Sequence, residues 1–442
     1  MRSDFTRRDM LRLAGAGVLG DLALPAQTRR PNLLFILADD LGWGDVGFNG
    51  RKEWPTPNLD RLASQGTTFT RWYSAATVCA PSRACLLTGK YTIHNGVKRN
   101  GDDLPASEVT FAEALKPQGY TSALIGKWHH GALRDGSFLH PLDQGFDSTF
   151  GFLDARHAWE HFPKTLFRGR QEVPVKGYTA DLFSDEAVKF IGENRSRPFC
   201  LYLAYIESHF HVEAPEDEVA KFRGKFPEKD QRTPRNAAYA AMIHRMDTGI
   251  GRVMRALEEN GLAQNTLVVF TSDNGATFES GNNGASNFHD SNRPVRGQKR
   301  SLEEGGIREP AFVWWPGRIP AGRKFEEPVH STDLMPTLVN AGGGTIDPAW
   351  KVDGINLLDV WTGKAHLPER TLFWEWTSEG YNMHAAMRGD FKLLRINGAD
   401  FLYNIREDPQ ERRTIAAAHP EMFRRLRAEL EAWKASEVPR AR

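Results

Sequence analysis

Four short apolar runs set the terms on which this chain of 442 residues can fold. They lie at 32–38, 120–125, 199–206 and 267–270, and none shows the steady polar alternation of a strand with one wet face. Runs of this kind suit strands buried on both faces, as in a parallel sheet covered by helices. The segments between them supply the cover. Tyr239, Met242, Ile243, Met246, Ile250, Val253, Met254 and Leu257 step by three and four, which predicts an amphipathic helix stopped near Gly261; further helices are expected at 107–116, 179–194 and 334–340. Residues 311–315 read as one more strand. The expected class is α/β, a large mixed and mostly parallel sheet sandwiched by helices.

Two regions break this rhythm. From Gly131 to Gly177 no period is sustained, which predicts a long irregular insertion of the sort that carries recognition. Beyond Gly342-Gly343-Gly344 the runs at 372–374, 385–388, 391–394 and 401–403 are short and turn-bounded, an antiparallel meander. Met422, Leu426, Leu430 and Trp433 mark a closing helix after Pro420. The expected division is a large domain over 29–365 and a smaller C-terminal α+β lobe, carrying the antiparallel sheet, over 366–442.

Each of the four apolar runs ends in polar residues: Asp39-Asp40, then Lys127 with His129, then His209, then Asp273-Asn274. In an open α/β sheet the C-terminal strand ends share one edge, where ligands bind. If the four strands are parallel, these residues line one pocket. Asp39, Asp40, Asp273 and Asn274 are all oxygen donors, with no Cys pair or H-x-x-x-H grouping nearby, so a hard cation, calcium or magnesium, suits them better than zinc.

The stretch from Val78 to Lys90, Val-Cys-Ala-Pro-Ser-Arg-Ala-Cys-Leu-Leu-Thr-Gly-Lys, reads as a turn that starts a helix. Pro81 is tolerated in a first turn and Gly89 can close the helix in the left-handed region. Cys79 then sits at the helix N-terminus, where free N–H groups favour negative charge, with Arg83 one turn on. This stretch resembles the modification motif of the type I sulfatases, C-x-P-S-R followed by L-T-G. The Leu-Ala-Asp39-Asp40 ending, Thr56-Pro57-Asn58-Leu59-Asp60, Gly126-Lys127-Trp128-His129, Thr271-Ser272-Asp273-Asn274-Gly275 and Arg296-Gly297-Gln298-Lys299 resemble further landmarks of that family, in the same order.

The resemblance implies an alkaline phosphatase-like fold and a sulfuric ester hydrolase. It implies that Cys79 is oxidised to formylglycine by a formylglycine-generating or sulfatase-maturating enzyme. Asp39, Asp40, Asp273 and Asn274 would hold calcium, with the modified Cys79 completing the sphere. Arg83 and Lys127 would orient the aldehyde hydrate, Lys127 and Lys299 would bind sulfate oxygens, and His129 and His209 would move protons. Two positions depart from the pattern. His130 stands where Leu is common, and Ile206-Glu207-Ser208-His209 replaces an A-P-H-like segment, so His211 competes with the preferred His209. His140 and His157, like His130 and His211, are assigned no role.

The implied substrate is a sulfated poly- or oligosaccharide. Arg156, His157, Asn282, Asn283, His289, Trp374, Trp376, Tyr381 and His384 are candidate sugar contacts. Two other readings are kept: a phosphodiesterase or phosphonate monoester hydrolase on the same scaffold, and a silent glycan-binding homologue with an unmodified thiol. A formal net charge of +1, with both signs spread along the chain, gives no support for nucleic-acid binding. Three cysteines, Cys79, Cys85 and Cys200, are not a disulfide framework. Thr6-Arg7-Arg8-Asp9-Met10-Leu11-Arg12, followed by a mild apolar stretch, resembles a twin-arginine signal over residues 1–28. It is too short and too broken by Asp21 for a stable membrane anchor. Export by the twin-arginine machinery to a bacterial periplasm or beyond is expected.

Overall fold

In the structure, a computed structural model, the apolar runs become neighbouring strands: β1 (Asn32–Ala38), β3 (Thr121–Lys127), β7 (Phe199–Ala204) and β8 (Thr266–Ser272). Residues 30–130, 139–278, 282, 284–378 and 380–438 are described. Among them the main sheet has eleven strands, the others being β2 (Thr67–Tyr73), β4 (Ser148–Phe152), β5 (Thr165–Arg168), β6 (Gln171–Pro174), β9 (Arg308–Trp314), β10 (Arg323–Phe325) and β11 (Val329–His330). Their order is β10-β2-β9-β8-β1-β7-β3-β4-β5-β6, with β11 also pairing with β2.

The centre is parallel. β1 pairs with β7 and β8, and β3 pairs with β7, all in the same direction. The four polar strand endings therefore share one edge, as the sequence predicts. β9 runs antiparallel to both β8 and β2, and β5 antiparallel to β4, so the sheet is mixed toward its flanks.

Alternation along β1 divides the core. Leu34, Ile36 and Ala38 face helices Thr179–Glu193 and Arg235–Glu259, while Leu33, Phe35 and Leu37 face Cys79–Thr88, Phe111–Leu115 and Leu334–Ala341. Both faces are dry, which accounts for runs without polar alternation. The 25-residue helix Arg235–Glu259 carries the spaced Met and Ile stripe, buried as core.

Two details differ from expectation. The expected insertion from Gly131 to Gly177 contains β4 and the β5–β6 hairpin, and its residues 131–138 lie outside the described ones. The sequence Ser-Thr-Phe-Gly-Phe of β4 has no apolar run, because Gly151 is there for closeness rather than burial. A Cβ on Gly151 would sit 2.0 Å from the Gly126 carbonyl oxygen of β3. The helix expected from Ser107 begins only at Phe111, where Thr110 and Glu113 form a capping box. Thr56 precedes helix Pro57–Ser64 but makes no capping bond; its hydroxyl accepts from Gly47 N–H at 2.8 Å and donates to Asp60 at 3.0 Å.

The C-terminal sheet is the expected meander: β12 (Thr371–Ser378), β13 (Tyr381–Arg388), β14 (Phe391–Ile396) and β15 (Ala399–Asn404), each antiparallel to the next. Asn397-Gly398, both at positive φ, make the two-residue turn between the last two. One face packs helix Pro420–Ala435; the other packs Leu372, Trp374, Met387 and Leu394 against Tyr73, Val78, Leu302 and Ile307 of the main body. Pro31–Arg442 forms one compact unit. The expected signal over 1–28 lies outside the described residues.

Candidate active site

Asp39 and Asp40 follow β1 directly. Asp39 N–H donates to Glu207 O at 3.1 Å and Ser208 N–H donates to Asp39 O at 2.9 Å, so the β1–β7 pairing continues past both strand ends. Asp40 turns into the left-handed region, φ 58°, and its N–H donates to Asp273 Oδ1 at 3.1 Å beyond β8. Lys127 is the last residue of β3, and His129, φ 69°, leaves the strand by a similar turn.

The fifth contributor is helix Cys79–Thr88. Val78 is its extended N-cap, Pro81 falls in the first turn, and Gly89 closes it at φ 68° with its N–H on Cys85 O at 2.9 Å. Asn100 Oδ1 accepts the Ala80 N–H at 3.0 Å, a cap supplied from twenty residues away. Local sequence patterns give no sign of such a partner. Cys79 and Arg83, four apart, share one helix face.

These elements, with the loop that carries Lys299, bring together all ten residues singled out from the sequence. Asp39, Asp40, Cys79, Arg83, Lys127, His129, His209, Asp273, Asn274 and Lys299 are all buried. The Cys79 thiol lies 3.4 Å from Asp39 Oδ1 and 3.9 Å from Asp40 Oδ1, and Lys299 Nζ is 3.3 Å from the same sulfur. Lys299 also donates to both Asp40 oxygens at 2.7 and 2.9 Å, while Lys127 Nζ reaches Asp39 Oδ2 at 2.5 Å. Arg83 donates through Nε and Nη2 to Asp273 Oδ2 at 3.0 and 2.8 Å, and through Nη1 to the Lys127 carbonyl at 3.0 Å. His209 Nδ1 lies 2.8 Å from Phe210 O, leaving Nε2 toward Asp40 Oδ2 at 3.7 Å. His211 is exposed.

Electrostatics follow from burial with opposed charges. Burial raises the Asp39 pKa, but Lys127, His209, Arg83 and Lys299 together hold it well below the ordinary carboxylate range. Burial and the neighbouring Asp39 instead push Asp273 up to about 7, against the pull of Arg83. Burial, then Asp39, raise the Cys79 thiol, keeping sulfur protonated. Burial lowers His209 to about 4, and burial with Lys127 and Arg83 lowers His129 well below its ordinary value.

The donor set fits a hard cation. One ligand atom each from Asp39, Asp40, Cys79 and His209 lie within 4.8 Å of one another. Asn274 Nδ2 donates to Asp40 Oδ1 at 2.7 Å, yet its carbonyl Oδ1 is buried without a partner. An orphaned buried acceptor among three carboxylates is what an oxygen-ligated cation satisfies. The protonated sulfur is the misfit, since a soft neutral thiol suits such an ion poorly.

The candidate sugar contacts fare differently. Trp374 and Trp376 are buried in the C-terminal sheet, and Trp374 Nε1 donates to Ser74 O at 2.7 Å. His384 and Asn282 are also buried, and His289 packs against Trp54, Phe226 and Tyr239. Trp374, Trp376 and His289 are packing residues, chosen from sequence because aromatic and polar side chains serve both purposes. Arg156 and Tyr381 are exposed, His157 is half-buried, and Asn283 lies outside the described residues. Half-buried Trp159 and Phe210 were not singled out. Their ring centroids are 5.1 Å apart, and the Phe210 ring stands 4.2 Å from that of His209.

The chain is similar to known proteins along most of its length. The family model described as sulfatase matches residues 31–344, and one described as N-sulphoglucosamine sulphohydrolase, C-terminal, matches 297–436. The N-acetylgalactosamine-6-sulfatase of Canis lupus familiaris is 34% identical over 421 residues, covering 87% of this chain and 74% of its own length. The crystal structure of Ps i-CgsB in complex with k-i-k-neocarrahexaose is similar at a TM-score of 0.84 and 30% identity, covering 93% of this chain and 94% of that one. The PsFucS1 sulfatase from Pseudoalteromonas sp. is similar at 0.75 and 25%, covering 93% and 92%.

Proposed function

The chain belongs to the sulfatase family and is a sulfuric ester hydrolase, and from that premise we propose that it desulfates a carbohydrate, using Cys79 oxidised to formylglycine beside a bound calcium ion. The observation that carries this reading is the position of Cys79 Sγ, 3.4 Å from Asp39 Oδ1 and 3.3 Å from Lys299 Nζ at the junction of five elements. Asp39, Asp40, Asp273 and Asn274 would hold the ion. When bound, it lowers the cost of negative charge on the nucleophilic oxygen and the sulfuryl group. The aldehyde hydrate would supply one hydroxyl, its proton passing to solvent, to attack sulfur as the alcohol leaves, and a second whose loss of a proton to His129 would release sulfate and restore the aldehyde.

The chain's own residues do the rest. Arg83, fixed on Asp273 and the Lys127 carbonyl, orients residue 79 from one helical turn away. Lys127 and Lys299 neutralise the sulfuryl oxygens, the largest expected contribution among buried charges. His209 gives its proton to the departing alcohol oxygen, and His129 takes one from the second hydroxyl. His209 is held near 4 by burial, and the bound sulfate ester's negative charge works in the opposite direction, so its protonation accompanies substrate binding.

A sugar as leaving alcohol is supported by Trp159 and Phe210 beside His209, since aromatic faces stack on pyranose rings. The similarity to an N-acetylgalactosamine-6-sulfatase and to a structure in complex with k-i-k-neocarrahexaose supports the same class. Sulfate release from defined sulfated mono- and oligosaccharides, set against phosphate release from an aryl phosphate, tests the reading. Faster turnover of the phosphate ester would favour the phosphohydrolase alternative. Peptide mass spectrometry that finds only a thiol at Cys79, with no esterase activity, would favour the silent glycan binder.

Export through the twin-arginine route, with maturation of Cys79 by a formylglycine-generating enzyme, completes the proposal. Among the described residues no helix is long and apolar enough to cross a membrane. Changing Arg7 and Arg8 to Lys tests the route; undiminished export counts against it.

A further inference from the structure

The C-terminal sheet reaches the site through one buried charge cluster. Lys392 on β14 has its ammonium 2.8 Å from Glu304 Oε1 and 3.0 Å from Glu411 Oε1, and all three side chains are fully buried. Glu411 Oε2 accepts the backbone N–H of Glu304 at 2.8 Å. The Tyr73 hydroxyl donates to Glu304 Oε2 at 2.8 Å, and Arg308 stands 3.7 Å from the same oxygen. Two carboxylates thus meet two cations, away from any atom assigned to the chemistry.

Such a cluster is a poor way to gain stability. Desolvating its charges offsets most of their attraction, and apolar side chains of similar volume often do as well. Its geometry matters more, because Glu304 follows Lys299 by five residues in a segment with no slack. Gly305 N–H donates to Arg296 O at 2.7 Å, Lys299 N–H to Ala276 O at 3.1 Å, and Gly275 N–H to Gly306 O at 3.3 Å. A Cβ on Gly275 would lie 1.9 Å from Gly305 O, and one on Gly305 would lie 2.4 Å from Gly297 O. Backbone so closely stacked transmits a displacement of Glu304 to Lys299. Ser74 N–H, bonded to Ile307 O at 2.8 Å, ties the approach to Cys79 to the same segment.

We infer that Lys392 and Glu411 are positioning residues of the sulfuryl-transfer site, holding Glu304 and through it the 296–306 segment so that the Lys299 ammonium stays between Asp40 and residue 79. The catalytic consequence rests on the proposed function; the mechanical one does not. The test uses the full chain with Lys392→Met and Glu411→Gln, each alone and combined with Lys299→Met. Glu411→Gln keeps the Lys392–Glu304 pair and loses only one of its own two bonds, so it serves if Lys392→Met does not fold. Backbone hydrogen exchange across 296–306 is expected to quicken about tenfold or more in each variant, with β1 and β8 unchanged. Against a sulfate ester, kcat should fall about tenfold to a hundredfold for Lys392→Met and about threefold to tenfold for Glu411→Gln, with KM within about threefold. Neither change should add to the loss already caused by Lys299→Met. Unchanged exchange across 296–306 overturns the inference, and so does a full multiplicative loss in the Lys299→Met background. If the wild-type chain hydrolyses no sulfate ester, the proposed function fails while the exchange measurement still decides the mechanical claim.

Discussion

A thiol at position 79 is chemically out of place among its neighbours. Its protonated sulfur sits against carboxylates and an ammonium group that would serve an oxygen far better. The histidines divide as clearly. His209 is buried 3.7 Å from Asp40, whereas His211 is exposed, so the A-P-H departure does not displace the ring from the site. His209→Ala should lower kcat by about a hundredfold or more, and His211→Ala should stay within about threefold, as steady-state sulfate release would measure. Beneath them, Asp45 accepts from Tyr239 at 2.8 Å and pairs with Arg51 at 3.2 Å, yet burial raises it from 3.8 to about 6. The folded state binds this proton more tightly, so the neutral acid's stabilising contribution is complete below 3.8 and lost as pH rises through about 6. Relative to Asp45→Asn, the wild type should lose about 3 kcal/mol between pH 3.8 and 6, at 1.36 kcal/mol per pH unit, in denaturant titrations across that range.

Among elements, what was legible in the sequence is what burial dictates. β1, β3, β7 and β8 are dry on both faces, so their runs and polar endings mark the central sheet and seven of the ten converging side chains, while Cys79, Arg83 and Lys299 are legible only through the motifs that carry them. β4 was not legible because its place depends on a glycine's close approach, which leaves no hydrophobic trace. Trp374 and Trp376 looked equally fit for sugar or core, and only their register on β12 decides for core. The same close approach has a measurable cost. Gly126 has φ 114°, and a Cβ there would stand 1.8 Å from Ala204 O on β7. Gly126→Ala should therefore destabilise the fold by about 3 kcal/mol or more, read from thermal or chemical unfolding, and should displace Lys127.

At the scale of the molecule, elements of the main body, braced from behind by the C-terminal sheet, meet around a charge-balanced pocket where Asn274 Oδ1 is buried without a partner. If calcium belongs there, chelation should lower the unfolding temperature and abolish turnover, and added calcium should restore both. At a free ion concentration a hundredfold above its dissociation constant the gain is about 2.7 kcal/mol. An unfolding temperature indifferent to chelator and calcium would count against the ion. The account turns most directly on residue 79 itself. The deciding measurement is sulfate release from a sulfated oligosaccharide by the matured chain and by Cys79→Ala, with unfolding of both followed in parallel. The account predicts turnover by the former, none by the latter, and unfolding midpoints that agree; turnover by Cys79→Ala at the wild-type rate would contradict it.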